Sequence, residues 1–222
     1  MENKVELLGW YGGDKGIARA AWQSTQIDID SKTDSEIGDL IVNKLWNNGS
    51  GKPHKTPFER GIVEFEITCD QASHIHLLKH RLANINGESA RYKELKEDKF
   101  YLPEDWKGIY RDEVKTQDWF SKLSIYTARG NELYHECLKD LTPVLGRKRA
   151  KESARFFKTM NSQITLSVMM NMSCFNNFYS LRADSAAQLE IQGIANQMLE
   201  CIKNIEGNPF KWTLKTFGYE CN

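Results

Sequence analysis

Four arginines carry most of the chemistry this chain can do: Arg81, Arg91, Arg155 and Arg182. A guanidinium keeps its charge at any physiological pH and presents a planar fork of donors that matches a phosphate with two hydrogen bonds. One such contact is worth roughly 1.5–3 kcal/mol, so two or three hold a nucleotide monophosphate at about micromolar affinity. Arg81 and Arg91 bracket a run of small polar residues, Asn84, Asn86, Gly87, Glu88, Ser89 and Ala90. Asn and Gly are poor helix formers, and their presence suits a backbone that must approach a phosphorylated ligand closely. Arg155 precedes Phe156-Phe157, and Arg182 lies between Leu181 and Ala183 at a helix junction. Both are expected to be half-buried, where a cation needs an anionic partner. The lysines that crowd the same short basic run, Lys148, Lys151 and Lys158, read as a solvated face.

Other chemistries have less support. His74, His76 and His80 include an i,i+4 pair, but there is no HExxH and no carboxylate at ligand spacing, so no metal is expected. No GxSxG elbow is present, and the five cysteines, odd in number and without CxxC spacing, read as free thiols. Ser89 is better placed as a hydrogen-bond donor to an anion than as a nucleophile.

The elements that position these groups follow from periodicity. Val5 to Trp10 reads as a strand; Gly12, Gly13 and Gly16 then form an ordinary turn, matching neither GxGxxG nor GK[ST]. Asp34 to Trp46 has the spacing of an amphipathic helix with Ile37, Leu40, Ile41 and Leu45 on one face. Asn47 to Lys55 is a loop. Gly61 to Cys69 alternates as a half-buried strand, and Asp70 can cap the next helix, with Ile75, Leu78 and Leu82 as its buried stripe. Further on, helices are expected over 118–138, 147–158, 171–181 and 185–205, the last capped by Ser185, with a strand over 161–170. The chain has 222 residues, 30 basic and 30 acidic, which speaks against bulk electrostatic binding of nucleic acid and fits one domain, 1–222. No signal peptide or membrane-spanning run is visible, so a cytoplasmic protein is expected.

Lys79-His80-Arg81, Asn86, Ser89, Arg91 and Tyr92 resemble the signature RHRxxSxNxxSxRY of the flavin-dependent thymidylate synthases. HKTPFER at His54 to Arg60 is similar to the family's H-x-TPFEH segment, and FYLP at Phe100 to Pro103 recurs after the signature. Asn171 to Gln192 resembles the block N-x-R-x-x-x-N-F-x-x-LR-x-x-x-x-AQ-EI, with Ala154-Arg155 upstream of it. The resemblance implies an α+β fold, a central mainly antiparallel sheet flanked by helices. It implies synthesis of dTMP from dUMP, with methylenetetrahydrofolate as carbon donor and FAD, reduced by NADPH, as hydride source. It also implies a homotetramer whose active sites are shared between chains, with no nucleic-acid or membrane partner.

Carried over by position, His54, Thr56, Lys79, His80, Arg81, Asn86, Asn171, Ser173 and Asn177 fall at FAD-binding places. His76, Lys79, Gly87, Glu88, Ser89, Ala90, Arg91 and Arg155 fall at dUMP-binding places. Arg182 falls at the catalytic one, meeting the uracil edge. The chain departs from the pattern at His76, Lys79, Asn84, Gly87 and Ser173, which leaves open another base such as dCMP, or a silent homologue that kept the fold.

Overall fold

A computed structural model describes residues 1–95, 97–111 and 116–219; the fifth cysteine, Cys221, lies outside them. Strands and helices follow in the order β1 (Lys4–Tyr11), α1 (Gly13–Trp22), α2 (Asp34–Asp39), β2 (Ile62–Asp70), α3 (Gln71–Leu78), β3 (Asn84–Gly87), α4 (Trp119–Leu145), α5 (Arg147–Ala154), β4 (Gln163–Asn171), α6 (Met172–Arg182), α7 (Leu189–Lys203) and α8 (Lys211–Phe217). The strands make one four-stranded antiparallel sheet in the order β1-β2-β4-β3, so the fold is α+β. The chain is organised as two compact units. One comprises Met1–Asn3, Thr68–Leu77 and Gly87–Leu166; the other comprises Lys4–Ile67, Leu78–Asn86 and Ser167–Asn222.

In the second unit the alternation of β2 is realised: Val63, Phe65 and Ile67 are fully buried, while Glu64 on the other face accepts a hydrogen bond from Ser167 at 2.9 Å. Thr33 and Glu36 form a capping box that starts α2. Ile37, Leu40, Ile41 and Leu45 are buried together with Ile17, Ala18 and Phe58. The expected single helix over 34–46 changes winding at Leu40, where a π-helical stretch runs to Trp46. α6 is capped by Asn171, whose side-chain oxygen accepts from the Cys174 N–H at 2.8 Å. α7 buries Ile191, Ile194, Ala195, Met198 and Leu199. It starts at Leu189 rather than 185, and Ser185 is not its cap. Asp184 captures that stretch first: its side chain accepts from the Ala186 N–H at 2.8 Å and its carbonyl from the Ala187 N–H at 2.9 Å, closing a turn.

Gly61 lies where that core leaves no room for a side chain. A Cβ there would sit 2.9 Å from both the Met172 Cγ and the Phe210 Cε1 and 3.1 Å from the Ile17 Cδ1. Gly61→Ala is therefore expected to destabilise the fold by about 2 kcal/mol through overpacking, read as a lower urea midpoint.

In the first unit Asp70 caps α3 as expected, accepting from the Ser73 N–H at 2.8 Å and the Ser73 hydroxyl at 2.7 Å. The buried stripe expected for that helix is absent: Ile75, Leu78 and Leu82 are exposed at 46%, 50% and 78%, and Leu77 and Ser73 are buried instead. The helix stops at Leu78, so the spacing through Leu82 never becomes a helical face. α4 runs seven residues beyond Leu138 and ends at Gly146, whose φ of 76° closes it. α5 packs on α4 through Tyr134, Leu138, Ala150 and Ala154.

Candidate active site

Within the second unit, two of the expected site residues meet. His80, two residues past the end of α3, is buried at 7% exposure. Its ring stands edge-on to Phe178, centroids 4.9 Å apart. Arg182, the last residue of α6 and one helical turn beyond Phe178, donates its Nε–H to His80 Nε2 at 3.1 Å. A guanidinium has no acceptor, so His80 Nε2 must be bare and the imidazole neutral. The contact engages only Nε. The two terminal Nη groups of this half-buried arginine meet no carboxylate among the described residues. A preorganised cation of this kind calls for an anionic or carbonyl-rich ligand.

The other expected residues of this unit lie at its surface. Lys79 and Arg81 flank His80 and are exposed, as are Asn86 on β3 and Asn177 on α6. Ser173 is half-buried in the first turn of α6, two residues after the capping Asn171. His54 and Thr56 line a cleft of about 780 Å³ together with Gly16, Arg19 and Arg60. No acid among the described residues pairs with Arg60, and Arg19 has only Asp30, at 4.0 Å. Two weakly engaged guanidiniums beside a threonine hydroxyl and an imidazole suit the pyrophosphate of a dinucleotide such as FAD. Arg19 and Arg60 were missed in the sequence, although Arg60 closes the HKTPFER segment.

Within the first unit, the signature turn is held by its own backbone. Ser89 carbonyl accepts from the Tyr92 N–H at 3.0 Å and the Lys93 N–H at 2.9 Å. The N–H groups of Ser89, Ala90 and Arg91 have no such partner among the described residues. Glu88 is held internally: its N–H donates to the Thr165 carbonyl at 2.9 Å, and its carboxylate pairs with Lys93 at 2.6 Å. His76 is half-buried on α3. Arg91 donates its Nε–H to Glu152 at 2.7 Å. Arg155 is exposed rather than half-buried, because its sequence neighbours Phe156 and Phe157 are themselves exposed, at 81% and 40%.

Lys158 corrects the reading of the basic run. Its side chain is only 8% exposed, donates to Asp98 at 2.6 Å and Asn131 at 2.8 Å, and stands 4.5 Å over the Tyr134 ring. Burial by itself would raise the Asp98 carboxyl. Hydrogen bonds from Lys158 and His135 outweigh it and hold the group below the usual range. Among the described residues no group of three or more His, Cys, Asp or Glu side chains is placed to hold a metal, and no helix is long and apolar enough to cross a membrane.

A family model described as "Thymidylate synthase complementing protein" matches residues 6–206. A flavin-dependent thymidylate synthase of Pseudothermotoga lettingae is 31% identical over 96% of this chain and 89% of its own length. One from Thermosipho melanesiensis is 32% identical with the same coverage. Among solved structures, a UMP/dUMP methylase, PolB, from Streptomyces cacaoi, crystallised with 5-Br dUMP, aligns over 100% of this chain and 98% of its own at a TM-score of 0.73. At 24% identity that likeness concerns the fold.

Proposed function

The chain belongs to the flavin-dependent thymidylate synthases, methyl-transferring enzymes that use a flavin, and from that premise we propose that it makes dTMP from dUMP. Methylenetetrahydrofolate is the carbon donor and NADPH the reductant, and the whole of 1–222 serves as one catalytic domain. The observation that carries this reading is the half-buried Arg182, clipped through Nε to the buried His80 with its Nη groups open. Those groups meet the uracil edge and stabilise the base once N3 has lost its proton. The added electron density at C5 lets C5 attack the activated one-carbon unit. An arginine suits the role because it never gives up its proton and is already oriented when charge develops.

The phosphate is held by Ser89, Arg91 and Arg155 and by the open N–H groups of the signature turn. The flavin is held by His54, Thr56, Lys79, His80, Arg81, Asn86, Asn171, Ser173 and Asn177, with Arg19 and Arg60 adding positive charge at its pyrophosphate. Bound FAD, once reduced by NADPH, would supply the hydride that takes the transferred carbon to a methyl group. The enzyme works as a homotetramer, each nucleotide meeting side chains of more than one chain. In support of an assembly, Phe156, Leu82 and Val144 are exposed at 81%, 78% and 78%.

The test is NADPH oxidation by the FAD-loaded protein. Stimulation by dUMP and not by dCMP is the expected result; stimulation by dCMP alone would transfer the activity to another base.

A further inference from the structure

Arg91, read above as a phosphate ligand, is not loose. Its Nε–H donates to Glu152 Oε1 at 2.7 Å. The other carboxylate oxygen of Glu152, Oε2, faces Arg149, one turn earlier on α5, at 3.6 Å. The Glu152 side chain is largely buried while that of Arg91 is about half exposed. The Arg91 hydrogen bond, with the charges of Arg91, Arg149 and Lys148, overrides desolvation and keeps the Glu152 carboxyl below its ordinary range, so it is ionised at neutral pH. The contact uses one of five guanidinium N–H donors. The four N–H donors of the two Nη groups, the edge that grips a phosphate end-on, meet no carboxylate among the described residues. Arg155 follows Glu152 by three residues, so the carboxylate stands one helical turn from a second phosphate-binding arginine.

We propose that Glu152 is a positioning residue for the nucleotide phosphate: it fixes Arg91 by the Nε edge so that the Nη edge is presented to the substrate before it arrives. This rests on Arg91 being a phosphate ligand. A free arginine loses rotamer freedom on gripping a phosphate, and a tethered one has already lost it. A carboxylate that merely occupied the phosphate's place would have the opposite effect, competing with the substrate for Arg91. The phosphate contact is the same in the ground state and the transition state, so the effect belongs in dUMP binding and not in the chemical step.

The experiment is calorimetric titration of dUMP into the FAD-loaded full chain for wild type, Glu152→Ala and Glu152→Gln, with kcat measured for each. Alanine is the best helix former and Gln differs little in size from Glu, so both variants keep α5. Glu152→Ala is expected to weaken dUMP binding by about five- to tenfold with kcat within about twofold of wild type. Glu152→Gln, whose amide oxygen still accepts from Nε, is expected to restore affinity to within about twofold of wild type. Unchanged or tighter binding in Glu152→Ala overturns the proposal, as does a glutamine variant no better than alanine. Wild-type protein that does not bind dUMP removes the functional reading itself, and this inference with it.

Discussion

Arg182→Ala is expected to lower kcat for dTMP formation by about 10³-fold or more while FAD remains bound. The loss is large because the side chain does two things no neighbour can take over. On the proposed reading its Nη groups stabilise negative charge that appears on the base only as the reaction proceeds, and its position is fixed in advance by the Nε contact to His80 at 3.1 Å. Water entering the vacated space would solvate the charge but would have to reorient to do so. Binding of the flavin should survive, since the ligands proposed for it are spread over His54, Thr56 and the surface residues around His80 as well. The check is steady-state product formation together with the visible absorbance of the purified variant. Normal dTMP formation would remove Arg182 from the mechanism. Loss of the flavin along with activity would make Arg182 a cofactor ligand first.

The second large effect is on stability. Asp14, in the first turn of α1, is 6% exposed. Its Oδ2 accepts from the Trp212 N–H at 2.7 Å, and its Oδ1 accepts from the Thr213 N–H at 3.0 Å and the Thr213 hydroxyl at 2.6 Å. One carboxylate thus satisfies the opening donors of α8. Asp14→Ala leaves three donors without partners in the interior and is expected to cost about 3–5 kcal/mol, a large share of a typical domain's stability. The cost depends on pH in a definite direction. Desolvation pushes the Asp14 carboxyl from 3.8 up to about 6, although the hydrogen bonds from Thr213 and Trp212 pull the other way. With the folded value above the unfolded one, the native state holds a proton that the unfolded chain has released between about pH 4 and 6. The contribution of Asp14 is therefore greatest below pH 4 and declines by roughly 3 kcal/mol as pH rises through 6. Denaturant titrations of wild type and Asp14→Ala across that range should show the gap between them narrowing toward neutral pH. A gap that widens would mean that hydrogen bonding to the carboxylate, and not burial, governs the site.

Much of this architecture is legible in the sequence because the signals are local. The alternation of Val63, Phe65 and Ile67 can face only one way in a sheet, and Ile37, Leu40, Ile41 and Leu45 fall on one helical face. β3 was not legible. It is an edge strand, with β4 as its one neighbour. Asn-Ile-Asn-Gly can pair there without any apolar alternation. Lys158 was misread for a related reason. Its partner Asp98 is 60 residues away, and a lysine in a basic run gives no sign of a distant carboxylate. Glu152 carries no motif either; its importance lies in a contact with Arg91 across 61 residues. The signature exposed His80 and the Asn171–Gln192 block exposed Arg182, but not that one holds the other, since their contact spans 102 residues.

The central claim is that Arg182 faces the base of a bound pyrimidine nucleotide. A crystal of the FAD-loaded assembly soaked with dUMP tests it most directly. The account predicts an Nη of Arg182 within about 3 Å of the uracil edge, with the Nε contact to His80 intact and Arg91 on the phosphate. A uracil ring bound away from Arg182 in every site of the assembly would contradict it.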